Sequence, residues 1–137
     1  MTTPEKFVLD TVTGPDTLAA VQQTLDALWS DHPDIPDVVR LHMDLAAGEI
    51  GANIIEHSGD GNPVHLRMTV ELSSGAIRTI FTDDGHPAPF DVHQPRMPDE
   101  MSEHGRGLAI AHRVLDELFY RRDQNGNHWT LIRNLTD

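Results

Sequence analysis

The sequence has no cysteine and no long apolar segment, and each absence excludes a class of protein. Without cysteine, the chain can form neither a disulfide bond nor a thiolate metal site, and a reducing compartment costs it no stability. No segment approaches the roughly 18 consecutive apolar residues that a membrane-spanning helix needs. The N-terminus also lacks the basic start and apolar run of a signal peptide. We therefore expect a cytoplasmic protein with no membrane partner.

Basic residues are scarce as well. Lys and Arg total 10 against 22 Asp and Glu, which gives a formal net charge of −12. Such a surface repels a phosphate backbone, so we expect no direct nucleic-acid binding. A bound anionic nucleotide would need local backbone donors or a metal ion to overcome this field. A basic or mixed protein partner would be attracted.

The order of predicted elements indicates one α+β domain. A length of 137 residues fits a single domain, which we expect to span residues 1–137. Apolar alternation and turn signals predict strands at 6–12, 64–72, 76–82, 118–122 and 129–135, and helical spacing predicts helices up to about 29, from 37 to about 57, and from 105 onward. This order favours a two-layer sandwich with helices on one face of a mixed, mostly antiparallel sheet.

Two of the predicted helices have a clear apolar pattern. Asp16 follows a turn and is expected to cap the first helix. The residues expected to form the buried faces are Leu18, Val21, Leu25 and Leu28 in the first helix, and Val38, Leu41, Leu45, Ile50 and Ile54 in the second. Residues 83–104 are rich in proline and form a long loop, a type that commonly serves as a lid or binding loop.

The second helix also carries a polar stripe. Glu49, Asn53 and His57 recur at a spacing of four, which places them on one helix face, and the small residues around them allow a close approach. A carboxylate and an amide oxygen in this pattern suit a hard cation such as Mg²⁺ and a proton acceptor. The alternative is an ordinary solvated face of an amphipathic helix.

Two further motifs follow. Asp83-Asp84-Gly85 ends a strand, where a carboxylate can accept from an amino group such as that of adenine, although an Asp-Gly turn is the simpler account. Gly105-Arg106-Gly107-Leu108 opens a helix, whose free N–H groups and dipole suit phosphate, although a glycine-eased junction explains it equally well. The latter is not a Walker A loop, because the Gly-Lys-Ser/Thr ending is absent.

Taken in order, these motifs resemble the boxes of GHKL ATPases, whose Bergerat-type fold is an α/β sandwich. Glu49-x3-Asn53-x3-His57 looks like the N-box, Asp83-Asp84-Gly85 like the box that reads adenine, and residues 105–110 like the second glycine box. The closing residues 126–131 are similar to the last strands of the RsbW-like anti-sigma-factor serine/threonine kinases.

The resemblance implies ATP and Mg²⁺ as cofactors and a role for each matching residue. Glu49 would be the general base, Asn53 the Mg²⁺ ligand, Asp83 the adenine contact, and residues 86–104 the ATP lid. The remaining nucleotide contacts that it implies are His57, Gly85, Gly105, Arg106, Gly107, Leu108 and Thr130.

The implied function is a serine/threonine kinase that phosphorylates a STAS-type anti-sigma-factor antagonist and binds a sigma factor or another switch protein. Relatives commonly form homodimers, which leaves a homodimer open. Two alternatives remain: a switch protein that binds ATP without catalysis, and the catalytic domain of a sensor histidine kinase. The second is disfavoured because 137 residues hold no phospho-acceptor helix pair. Gly48, where a more polar residue is expected, and a lid without a second glycine pair depart from the pattern.

Overall fold

The computed structural model describes residues 5–88 and 103–136, with side chains described for 6–88 and 107–136. In these ranges the elements follow the order that the sequence predicts. The strands are β1 Glu5–Val12, β2 His65–Ser73, β3 Ala76–Asp83, β4 Glu117–Asp123 and β5 Gly126–Asn134. The helices are α1 Thr17–Asp31, α2 Asp37–Asn53 and α3 Glu103–Val114, with a π-helical turn, Ile54–Ser58, directly after α2.

The strands form one sheet in the order β1-β2-β3-β5-β4. All four pairings are antiparallel, so the expected mixed sheet is wrong in this respect. The reason lies in the connections: β2–β3 and β4–β5 are tight hairpins, and β1 and β2 run in opposite directions. The segment that contains α3 joins strands of the same direction, but β5 lies between β3 and β4, so these two do not pair. The two-layer α+β architecture is confirmed.

Side chains alternate between the two faces of the sheet, as the period of a strand requires. On the inner face, Met68, Phe81 and Trp129 lie side by side in neighbouring strands and are almost fully buried. They pack with the buried faces of the helices into a single core. Burying each large apolar side chain contributes about 1.5–3 kcal/mol to the free energy of folding. This core stabilises the strands whose ends carry the polar motifs.

The first helix is as predicted, with two exceptions. Val21, Leu25 and Leu28 are buried, but Leu18 is 44% exposed. Asp16 precedes the helix without a side-chain capping bond. Instead the Thr17 hydroxyl accepts the Gly14 N–H at 2.7 Å. This bond ties the turn before the helix to its first residue, and the predicted capping role of Asp16 is wrong.

The buried face of α2 differs from the expected one. Val38, Leu41 and Leu45 are 44%, 54% and 43% exposed, whereas Val39 and Met43 are buried. Ala46 and Ala47 are fully buried as well, so the buried face runs through these small residues. Ile50 and Ile54 are buried as predicted. The helix is therefore rotated relative to the prediction, and a row of apolar side chains faces outward.

The hairpin between β4 and β5 is held by Asp123. Its carboxylate accepts the Asn125 N–H at 2.8 Å, a nitrogen of Arg121 at 2.8 Å, and contacts His128 Nε2 at 2.9 Å. The hydrogen bond with His128, followed by those from Asn125 and Arg121, lowers the pKa of Asp123 below its ordinary value. Gly126 completes the turn with φ 121°, and a side chain there would overlap the backbone after β3.

Candidate functional site

The three polar motifs meet around the C-terminal half of α2. Glu49 reaches the start of α3, where its carboxylate occupies the space that a side chain at Gly107 would need. The π-helical turn reaches the end of β3, where Ser58 occupies the space beside Gly85. One helix thus contacts both other motifs, and the structure brings the three together as their order in the sequence predicted.

Glu49 and Gly107 depend on each other. A Cβ at position 107 would overlap Glu49 Oε2, so only glycine leaves room for the carboxylate in this position. Glu49 is half-buried and lies against the first turns of α3, whose dipole favours a negative charge. The side chain is therefore held beside the helix start while part of it stays open to solvent, as a proton acceptor for an incoming group must be.

Asn53, the last residue of α2, is 7% exposed. Its Nδ2 is buried and has no hydrogen-bond partner among the described residues. A buried amide that leaves a donor unmatched loses about 1–3 kcal/mol, so such groups commonly mark a ligand position. Because that nitrogen is tied to no described group, the amide can turn to present its oxygen without breaking a bond there.

The helix predicted to reach His57 is α-helical only to Asn53. From Ile54 to Ser58 it is π-helical, with bonds from residue i to i+5 in place of i+4. His57 therefore lies on a π-helical turn and not on the α-helix that carries Glu49 and Asn53. It is half-buried and lies 3.5 Å from Glu56, at Nε2 to Oε2. The role of His57 at the nucleotide stays a prediction.

Asp83 lies at the inner face of the sheet and is 2% exposed. Its Oδ1 accepts two hydrogen bonds, from the Gly85 N–H at 2.9 Å and from Asn127 Nδ2 at 3.0 Å. Its Oδ2 is buried and has no partner within the described ranges. A buried carboxylate oxygen in this state is an acceptor prepared for a donor from outside the chain, which is the role predicted for Asp83.

A contact within the protein requires glycine at position 85. A side chain there would overlap the backbone of Ser58, and the neighbouring His86 N–H donates to the Ser58 carbonyl at 2.6 Å. At Gly85, for which the resemblance implies a nucleotide contact, the observed close approach is therefore made by the π-helical turn. The same contact joins the end of β3 to the end of α2.

Asn127 belongs to this site, although the sequence motifs gave it no role. It is 1% exposed and pairs with Asp83 across β3 and β5. Its Oδ1 accepts from the Tyr120 hydroxyl at 2.5 Å and from Arg122 at 3.0 Å. Trp129, two residues further on the same face, has a buried Nε1 with no partner in the described part of the chain. A polar residue at the start of a strand, opposite Asp83, was the only available signal.

Helix α3 begins at Glu103, two residues before the predicted start. Gly105 and Arg106 therefore lie inside its first turns, and the Gly107 N–H falls beyond the four free donors of a helix start. Leu108 is buried in the core, so its predicted contact with nucleotide is replaced by packing. The side chain of Arg106 and most of the predicted lid, residues 89–102, lie outside the described residues.

Thr130 is not brought to the site. It pairs with Ile80 and Phe119 on the outer face of the sheet, whereas its neighbours Trp129 and Leu131 are buried on the inner face. Its predicted position near adenine is wrong for this geometry, because the side-chain period of a strand sends Asn127 and Thr130 to opposite faces. Asn127 is the polar residue of β5 that faces Asp83.

Comparison with known proteins identifies the class. A family model described as the histidine kinase-like ATPase domain matches residues 12–133. The chain belongs to this family. Among solved structures, this ATPase domain is similar to the histidine kinase domain of the blue-light activated histidine kinase EL346 from Erythrobacter litoralis, with a TM-score of 0.54 and 18% identity over 88% of this chain and 61% of that one. At this identity the likeness shows the fold alone. No curated protein matches the chain significantly.

Family membership confirms the resemblance to GHKL-type ATPases and implies ATP binding, and the site can be tested against that ligand. Among the described residues, the unpartnered Oδ2 of Asp83 offers an acceptor to an amino group, and the unpartnered Nδ2 of Asn53 offers a donor to an oxygen of a ligand. The amide oxygen of Asn53 is the atom of that side chain that a cation would bind. Gly107 leaves a gap that Glu49 fills. The residues of this ATPase domain therefore fit an adenine nucleotide with its metal ion.

A cavity of about 240 Å³ lies at the same end of the sheet and is lined by Asp83 together with Asp10, His65, Arg67, Thr82, Asp84 and Asn125. On its outer-face side, Asp10 pairs with His65 and Arg67, and Asp84 accepts the His65 N–H at 2.9 Å. The bond with His65 is the main cause of a lowered pKa at Asp10. In the described part of the ATPase domain, no helix is long and apolar enough to cross a membrane.

Proposed function

We propose that this ATPase domain is an ATP-dependent serine/threonine kinase of the RsbW-like anti-sigma-factor type. Its substrate would be a Ser or Thr of a STAS-type antagonist, and a sigma factor or another switch protein would be its second partner. The similarity of the closing residues 126–131 to the last strands of the RsbW-like kinases supports this branch of the family. The net charge of −12 supports a protein rather than a nucleic-acid partner.

One observation carries the nucleotide part of the proposal. Asp83 is 2% exposed, and its Oδ2 has no partner among the residues described. Folding leaves such an oxygen unmatched at a cost of about 1–3 kcal/mol, and a 6-amino group of a purine would supply the missing donor. Asn53 would hold Mg²⁺ through its amide oxygen, and the free N–H groups of the first turn of α3 would hold phosphate.

Glu49 would be the general base. A Ser or Thr hydroxyl is a weak nucleophile at neutral pH and needs a positioned proton acceptor. The Glu49 carboxylate, fixed against Gly107 and still open to solvent, would take the hydroxyl proton as that oxygen bonds to the γ-phosphorus. Bound Mg·ATP supplies the phosphoryl group, with ADP as the leaving group and the metal ion neutralising its charge.

The test separates catalysis from binding. Glu49→Gln keeps the size of the side chain and removes the base, whose contribution is about 10²–10⁴-fold in rate. We expect near-normal binding of Mg·ATP by calorimetry and a loss of labelled-phosphate transfer to a cognate antagonist of at least roughly a hundredfold. Glu56→Gln, an exposed glutamate two turns further on, is the matched control and should transfer at the wild-type rate.

Each other outcome has its own meaning. If Glu49→Gln transfers as fast as the wild type, Glu49 is not the base. If the wild type labels no antagonist yet binds one tightly only with ATP, the protein is a switch without catalysis. If millimolar ATP does not bind at all, the proposed function is wrong. The cytoplasmic location and the homodimer stay predictions.

A further inference from the structure

A directed chain of hydrogen bonds crosses β4, β5 and β3 and ends on Asp83. The Ala88 N–H donates to the Tyr120 hydroxyl at 3.0 Å, and that hydroxyl donates to Asn127 Oδ1 at 2.5 Å. Arg122 also donates to Asn127 Oδ1, at 3.0 Å. On its other side, Asn127 donates to Asp83 Oδ1 at 3.0 Å. Strand β4, at the edge of the sheet, is thereby connected to the acceptor of the site.

The direction of every bond in this chain is fixed by chemistry. A guanidinium has donors and no acceptor, so the atom of Asn127 that faces Arg122 must be the amide oxygen. Tyr120 already accepts from Ala88, so its own proton goes to the same oxygen. The NH₂ of Asn127 must then face Asp83. A rotation of the amide by half a turn would set its donors against the donors of Arg122.

Both hydrogens of that NH₂ are in use. One goes to Asp83 Oδ1, and the other goes to the His86 carbonyl at 2.7 Å. Arg122 also donates to the Gly85 carbonyl at 2.8 Å, so the backbone just after β3 is held from the same side. With its Oδ1 saturated by two donors, Asp83 presents Oδ2 as the acceptor that remains open among the described residues.

We propose that Tyr120, Arg122 and Asn127 are positioning residues that set the base specificity of the nucleotide site. By fixing the amide of Asn127, they keep a second donor on Asp83 Oδ1 and so hold the carboxylate in place, with Oδ2 presented to the ligand as the acceptor. A purine with a 6-amino group donates to that oxygen, whereas a purine with a 6-carbonyl sets one acceptor against another and is rejected. This inference rests on the proposed binding of ATP and assigns its selectivity to strand β4.

The experiment compares two nucleotides that differ at the 6-position, Mg·ATP and Mg·ITP, by calorimetry. Removing both donors to Asn127 Oδ1, in Tyr120→Phe/Arg122→Ala, frees the amide to turn. The selectivity, measured as the dissociation constant for Mg·ITP divided by that for Mg·ATP, should fall by about tenfold, the loss expected for one well-directed hydrogen bond. Arg122→Lys keeps a donor without an acceptor and should retain most of the selectivity. Tyr120→Phe alone, which removes a single oxygen, should lower it by less.

Arg121→Ala is the matched control. Arg121 precedes Arg122 on the same strand, but its side chain is 67% exposed and pairs with Asp123. It should leave the selectivity unchanged. A merely structural role for the network would weaken both nucleotides equally and keep their ratio constant, which would overturn this inference while leaving ATP binding intact. A wild-type protein that binds neither nucleotide would instead overturn the proposed function.

Discussion

Asp83→Asn tests the nucleotide site with the least disturbance of the fold. Both protein partners of Asp83 Oδ1, the Gly85 N–H and the Asn127 NH₂, are donors. The oxygen of an asparagine at position 83 must therefore stay where Oδ1 is, and its NH₂ must occupy the position of Oδ2. Since Oδ2 has no partner within the described residues, the fold loses no described hydrogen bond. We expect the free energy of unfolding to change by no more than about 1 kcal/mol.

Nucleotide affinity should change much more. In the variant, an NH₂ group faces the 6-amino group of adenine, donor against donor, where the wild type has a carboxylate oxygen. The loss should be about 1–3 kcal/mol, or roughly 5–150-fold in the dissociation constant. For Mg·ITP the sign reverses, because the new NH₂ can donate to the 6-carbonyl. Asp83→Asn should therefore bind Mg·ITP more tightly than the wild type does.

Calorimetry with both nucleotides, alongside urea unfolding, measures both quantities on one sample. Asp84→Asn is the matched control, because Asp84 is exposed and its Oδ1 accepts from the His65 N–H. It should leave both affinities unchanged. A folded Asp83→Asn protein with wild-type affinity for Mg·ATP would refute the reasoning, since the buried oxygen would then have no ligand to accept from.

Three further predictions follow from the same geometry. Asn53→Ala should weaken ATP binding in the presence of Mg²⁺ and have much less effect on ADP without metal; equal losses in calorimetry would indicate a damaged fold instead. Gly107→Ala should displace Glu49 and slow phosphoryl transfer by at least about tenfold. Its control is Gly48→Ala, whose new methyl group meets nothing within 4 Å among the described residues. This control should raise the free energy of unfolding by about 0.5–1 kcal/mol and leave the transfer rate unchanged. The pKa of Asp123 is lowered in the folded state from 3.8, so its ionised form stabilises the fold above that pH, and this contribution is lost as the pH falls. Asp123→Asn should therefore be less stable than the wild type in urea unfolding at pH 7, with a smaller difference at pH 3; a constant difference would contradict this sign.

Much of the fold could be predicted because the apolar periodicity and the turn residues of each segment indicated the same element. The alternation from Leu66 to Val70 and the turn at Gly75 predicted a hairpin that the structure confirms. The buried face of α2 could not be predicted in the same way. Val38 and Val39 are neighbours of equal hydropathy, so periodicity alone cannot decide which of them is buried. Tertiary packing decides, and the buried face is the one that includes Val39, Met43 and the alanines at 46 and 47.

Site residues were predictable from the sequence where a single side chain in a motif is enough to indicate the chemistry. Asp83 and Glu49 were predicted from their position in motifs, and the structure brings both motifs to the end of α2 and the turn that follows it. Three other assignments depended on details that spacing does not contain. His57 lies on a π-helical turn that the spacing does not indicate, and the strand period sends Thr130 to the outer face. The role of Asn127 depends on the donors that β4 supplies to its amide oxygen.

The arrangement of strands also bears on the order in which the chain folds. Hairpins β2–β3 and β4–β5 join neighbouring segments, so their turns can close early at a small cost in chain entropy. Strand β1 pairs only with β2 in the described sheet, from which two helices separate it along the sequence, and its contacts close a long loop. Contacts of this kind form late and slow the overall rate. The Asp83–Asn127 pair lies at the junction of the two hairpins, so the acceptor of the site is assembled only when these independently formed halves dock.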